Sequence, residues 1–188
     1  NSIRRDNCWT HTDQAPSADG LRCYQGFVAL TENKERTLIV YEGTHKIHKQ
    51  YFENKGIKSN KNWQLIDSKD LPAMKDKRRV MHIPAGALVL WDSRVFHQNQ
   101  YGKPNSEERL IQYVCYLPKN HEKNTTTMIK KRAKYFKERR TTSHWPCPIT
   151  VNSLQPNTWG DDSKKIDYEK IPVPDLSDLA EDIVKLIV

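Results

Sequence analysis

No stretch of the 188-residue chain approaches the roughly eighteen consecutive apolar residues of a membrane span, which excludes a transmembrane helix from the expected architecture. The opening residues, Asn1-Ser2-Ile3-Arg4-Arg5, do not read as a secretory leader. Cysteine is scarce: Cys8, Cys23, Cys115 and Cys147 form no C-x-x-C pair and no finger spacing, which argues against structural zinc. The four read as reduced thiols of an intracellular, cytoplasmic protein. Internal repeats and low-complexity tracts are absent as well. The chain does not open with methionine, and the expectation is a fragment or a trimmed form of a longer protein.

What the chain does have is length for one domain with a real core, and too little for two comfortable ones. Its 31 basic side chains against 23 acidic ones leave a net charge of +8 and a pI near 9.3. Much of that excess sits between Lys119 and Arg140, so the basicity describes a region more than the fold. Between Lys130 and Arg140 the default reading is a solvated helix face. The sharper one is an anionic partner such as a nucleic acid, a coenzyme A tail or a phosphorylated metabolite. Tyr135 and Phe136 could stack on bases, although the spacing of Phe136 reads as core.

Period-two alternation and β-forming residues predict strands over residues 3–12, 21–30, 37–41, 80–84, 87–91 and 109–117. Residues 14–20 form a turn-rich loop beside the first strand. Residues 46–79 are polar and lysine-rich, and read as a long insertion of loop and short helix, a common place for substrate selection. Residues 126–140 read as a basic amphipathic helix. The end of the chain, 174–188, reads as an amphipathic helix capped by Asp175 or Ser177 and packed on the body. The expected division is a core over 1–118 and a helical C-terminal extension over 119–188 of a single domain.

The chemistry concentrates in Trp9-Thr10-His11-Thr12-Asp13-Gln14. In an extended segment, side chains at i and i+2 leave the same face, so His11 and Asp13 can address one metal ion. One nitrogen and one oxygen leave the pair a histidine short of the two-histidine, one-carboxylate face that binds non-haem Fe(II). His97, after the apolar run Leu88-Val89-Leu90-Trp91, fits that place, and Arg109 follows twelve positions later. Alternation puts Arg109 on the face of Ile111, Tyr113 and Cys115, pointing inward, where a guanidinium needs an anionic partner. Blander readings exist: His11 as an ordinary strand histidine, Asp13 as a turn former, and Arg109 paired with Glu107 or Glu108. His45, His48, His82, His121 and His144 read as structural or solvated.

In His11-Thr12-Asp13-Gln14, Phe27-Val28-Ala29-Leu30, Leu38-Ile39-Val40-Tyr41-Glu42-Gly43-Thr44-His45, Gly86-Ala87-Leu88-Val89-Leu90-Trp91, His97 and Arg109, the chain resembles the Fe(II)/2-oxoglutarate-dependent dioxygenases, and among them the phytanoyl-CoA dioxygenase-like branch. The resemblance covers roughly residues 8–117. It implies a mainly β fold, a double-stranded β-helix or jelly roll, followed here by C-terminal helices. It implies His11, Asp13 and His97 as iron ligands, and Arg109 as the partner of the distal carboxylate of 2-oxoglutarate. Asn99 stands where the family often has a hydroxyl residue near that cosubstrate, and Phe27 where it commonly has tryptophan. The implied activity is hydroxylation of a small or carrier-linked organic substrate, with consumption of O2 and release of succinate and carbon dioxide. The alternatives are the same chemistry on a protein or nucleic acid, and a non-catalytic jelly-roll binding module. Two departures stand out: Glu42 replaces the usual proline, and only ten residues precede His11, where the family has helices and a first strand. N-terminal elements are therefore expected to be missing from this chain.

Overall fold

The computed structural model describes residues 8–143 and 145–187, and divides the chain into two compact units between Pro118 and Lys119. Part of the expected first strand, and His144, lie outside the described residues. Two antiparallel sheets make up the first unit. One has five strands in the order β4 (Gln64–Leu65), β1 (His11–Thr12), β7 (Phe96–Asn99), β3 (Leu38–Tyr41) and β5 (Arg78–Val80). The other has three, with β2 (Tyr24–Ala29) between β6 (Leu88–Asp92) and β8 (Ile111–Tyr116). The expected strand over residues 80–84 is displaced to Arg78–Val80, the described part of the expected first strand is paired only at His11–Thr12, His97 lies on a strand, β7, and β4 is additional.

β3 shows why these segments pair as they do. Its Leu-Ile-Val-Tyr run is rich in β-forming side chains, and successive residues leave opposite faces. Ile39 and Tyr41 join a buried cluster with Phe52, Ile66, Leu71, Met74 and Phe96. Leu38 joins Phe27, Ala29 and Ile83 in a second cluster, with Val40, Val89, Trp91 and Ile111 packed against it. Because this second cluster draws on β3 as well as on β2, β6 and β8, the inner faces of the two sheets meet there.

The long insertion proves to be part of the core. Helix α1 (His48–Asn54) contributes Phe52, a 3-10 helix at Leu71–Lys77 contributes Leu71 and Met74, and Ile66 follows β4. Together they cover the outer face of the larger sheet. Gly43 turns the chain into this segment at a φ of 75°, a left-handed conformation that a side chain would strain.

The second unit holds α2 (Thr126–Lys137), three short 3-10 turns and α3 (Ala180–Ile187). Thr125 caps α2 by accepting the Met128 N–H. Arg132 turns inward from the basic run. It donates to the Ile187 carbonyl at 3.0 Å, to the Pro146 carbonyl at 3.4 Å and to Asn124. Phe136, expected in the core, is 44% exposed, and no residue of α2 is buried. Amphipathic spacing says which side chains share a stripe; it does not say what covers them.

Candidate metal centre

β1 and β7 lie side by side with His11 opposite His97, and His97 is in turn opposite Val40 of β3. Val40 packs into the inter-sheet cluster, so both imidazoles leave the inner face of the larger sheet. Asp13, two residues after His11, comes to the same place, its N–H bonded to the Ser93 carbonyl. The three side chains are buried, with 6%, 8% and 5% of His11, Asp13 and His97 exposed. One ligand atom from each lies within 4.8 Å of the others, so this group can hold a metal ion.

Each imidazole is fixed from behind. His11 Nδ1 is 3.0 Å from the Trp9 carbonyl and His97 Nδ1 is 2.9 Å from the Val95 carbonyl. A carbonyl only accepts, so both Nδ1 atoms carry the proton and both Nε2 atoms offer a lone pair. These stand 3.7 Å and 3.3 Å from Asp13 Oδ2. Burial pushes the Asp13 carboxyl toward protonation, but hydrogen bonds and charge from the facing His11 and His97 rings, once these take a proton on Nε2, outweigh it and hold the group well below the usual carboxylate range. With both rings neutral, two imidazole lone pairs and a carboxylate converge among buried side chains, an arrangement that a bound metal ion or a proton on an imidazole would satisfy.

Asn99 stands further along the same inner face, and Arg109, just ahead of β8, reaches it from the smaller sheet. Asn99 is opposite Leu38, on the register that points between the sheets. Arg109 Nε donates to Asn33 Oδ1 at 2.9 Å and Nη2 to Asn99 Oδ1 at 3.0 Å. The Asn99 amide in turn donates to the Tyr113 hydroxyl at 3.1 Å. Beneath the guanidinium, 5.4 Å from its carbon, lies the ring of Phe27, which has no exposed surface. Among the described residues no carboxylate forms an ion pair with Arg109. Glu107, a conceivable partner, instead accepts the backbone N–H groups of Lys34 and Arg36 at 3.1 and 2.6 Å.

The fold thus brings His11, Asp13 and His97 into one cluster, and Arg109, Asn99 and Phe27 into another. Sequence reasoning missed several neighbours. Gln25 donates to Asp13 Oδ2 at 3.1 Å, and Trp91 packs on His97 with ring centroids 5.1 Å apart. Alternation turns both inward, two residues before Phe27 and two after Val89, but does not give their partners. Asn33 and Trp63 carry no such signal. Asn33 reaches Arg109 from a connecting loop, and Trp63 meets His11 at 5.5 Å from the insertion. Of the remaining histidines, His48 is buried and donates to the Gln14 carbonyl, while His82 pairs with Glu32 at the surface. The four cysteines are free thiols.

A β-rich domain with a buried His-Asp-His group is the class that these observations define. No family model matches the chain. It is similar to the Ava biosynthesis cluster protein O of Aspergillus versicolor, with 28% identity over 126 residues covering 59% of this chain and 40% of that protein. The chain therefore spans well under two thirds of that relative's length. Among the described residues, no helix is long and apolar enough to cross a membrane.

Proposed function

We propose that this protein is an Fe(II)- and 2-oxoglutarate-dependent oxygenase of the phytanoyl-CoA dioxygenase-like kind, hydroxylating a small or carrier-linked substrate. The observation that carries this reading is the convergence of His11 Nε2, Asp13 and His97 Nε2, with both Nδ1 protons already committed to backbone carbonyls. Two neutral imidazoles and one carboxylate are the donor set that suits non-haem Fe(II). The surroundings fit a further ligand too, since Gln25 Oε1 and Trp91 Nε1 border the group, are buried, and have no hydrogen-bond partner among the described residues. The facing antiparallel sheets support a double-stranded β-helix with the site between them.

Iron held by His11, Asp13 and His97 would supply activation of O2, one oxygen atom going to the substrate C–H bond and the other to the succinate formed from 2-oxoglutarate with release of carbon dioxide. The chain's own residues do the holding and shielding. Arg109 brings a positive charge with no carboxylate of its own to the inner face, where its planar fork suits the distal carboxylate of 2-oxoglutarate. Asn99 and Asn33 aim that fork, and the Phe27 ring limits its tilt. Val89, Trp91 and Ile111 line the inner face with apolar surface, which keeps bulk water away and strengthens the charge pair.

The test is anaerobic titration of the metal-free protein, first with Fe(II) and then with 2-oxoglutarate. The expected result is the weak visible charge-transfer band of a chelated keto acid, lost in Asp13→Ala. Iron binding without the band would overturn the oxygenase reading and leave a metal-holding binding module.

A further inference from the structure

Gln25 is the second residue of β2, the smaller sheet's central strand, and alternation with Phe27 and Ala29 turns its side chain inward. It is 3% exposed. Its Nε2 donates to Asp13 Oδ2 at 3.1 Å, the oxygen that also faces His97 Nε2 at 3.3 Å and His11 Nε2 at 3.7 Å. An ionised carboxylate can only accept, so the NH2 end of the carboxamide must face Asp13 and the oxygen must point away from it. That oxygen, Gln25 Oε1, is buried and meets no donor among the described residues. An unpaired buried acceptor is destabilising, and a leucine or methionine here would fill much the same space without that cost. What an apolar residue could not do is hold the carboxylate. The bond also crosses between the two sheets at the site, because both histidines and Asp13 belong to the larger sheet's side and Gln25 to the smaller.

We propose that Gln25 is the positioning residue of the metal centre, clamping the Asp13 carboxylate from the opposite sheet in the orientation that meets both histidine nitrogens. The inference rests on the metal-centre reading given above. It implies that the smaller sheet contributes to metal affinity although it supplies no ligand. Hydrogen-bond partners of metal ligands characteristically change affinity ten- to a hundredfold when removed.

Co(II) alone is the probe, titrated into the full chain and read by its visible absorption. In Gln25→Leu the dissociation constant should rise about ten- to a hundredfold, with an altered spectrum as the carboxylate loosens. The melting temperature of the metal-free protein should stay near that of the parent. Gln25→Met serves as a second variant should the leucine disturb the sheet. In the unaltered protein, Zn(II) should shift the Gln25 side-chain amide signals in proton–nitrogen NMR, a readout that needs no substitution. A folded variant with the parent's Co(II) affinity and spectrum, or amide signals indifferent to Zn(II) while Zn(II) binds, overturns the proposal. A parent that binds no Co(II), or binds it as tightly after Asp13→Ala, overturns the metal centre itself and this inference with it.

Discussion

At Arg109 a guanidinium meets two amide oxygens and an aromatic ring, so its charge is solvated by neighbours and not neutralised by them. If 2-oxoglutarate supplies the missing carboxylate, Arg109→Ala should weaken its binding by about 2 kcal/mol, the lower end for a truncated charge pair because the side chain is only half-buried. That is roughly a thirtyfold higher 2-oxoglutarate requirement with iron affinity unchanged, and equal keto-acid affinity in variant and parent would remove Arg109 from that role. His48 offers a prediction of a different kind. Burial pushes its pKa below the ordinary histidine value, only partly offset by its bond to the Gln14 carbonyl. The unfolded chain therefore takes up a proton, at about pH 6.5, before the folded protein does. Stability from this group is complete above that pH and is lost as pH falls toward the lower folded value. The stability difference between the parent and His48→Gln should accordingly shrink from about pH 7.5 to about pH 5.5 in denaturant titrations; a constant difference would show that His48 does not titrate in this window.

Among the elements, β2 is the least tolerant. It is hydrogen-bonded on both sides, and a side chain at Gly26 would run into the backbone oxygen of Val89 on β6. Gly26→Val should cost about 2 kcal/mol or more by forcing β2 and β6 apart, measurable as a lower denaturation midpoint. Wild-type stability would show that the sheet has room. The strands that carry long β-forming runs, β3 and β6 among them, were legible from composition and alternation. β7 was legible only as a strand carrying His97, without its bounds, and β4 was not, since Gln64-Leu65 is short and mixed and becomes a strand because β1 stands ready to pair with it. The same holds for the insertion over residues 46–79. Its scattered Phe52, Ile66, Leu71 and Met74 look like loop residues until the outer face of the larger sheet gathers them. α2 errs in the opposite direction, with a helical stripe that read as partly core and is exposed or half-buried throughout.

Seen as a whole, the molecule keeps every residue of the candidate site in the first of its two compact units, ahead of Pro118. A metal that binds only the folded state must stabilise it, by about 2.7 kcal/mol at a free concentration one hundred times its dissociation constant. Adding Fe(II) under anaerobic conditions should therefore raise the melting temperature, a chelator should reverse the rise, and Asp13→Ala should abolish it. A melting temperature indifferent to metal in the parent would sink the candidate centre.

What the sequence determined by itself is local. An extended His11-Thr12-Asp13 must send its imidazole and carboxylate to one face, and alternation must carry Arg109 inward with Ile111. It also marked His97 as a candidate, through the apolar run before it. Only the tertiary structure decided that His97 stands opposite His11 across β1 and β7, because strand pairing is a choice among many registers that no single segment encodes. The same reason kept Gln25 out of sight as a partner of Asp13, and Asn33 as a partner of Arg109. Each contact joins segments that meet only in the folded domain, and burial there gathers three separate side chains into one group that could hold a metal ion.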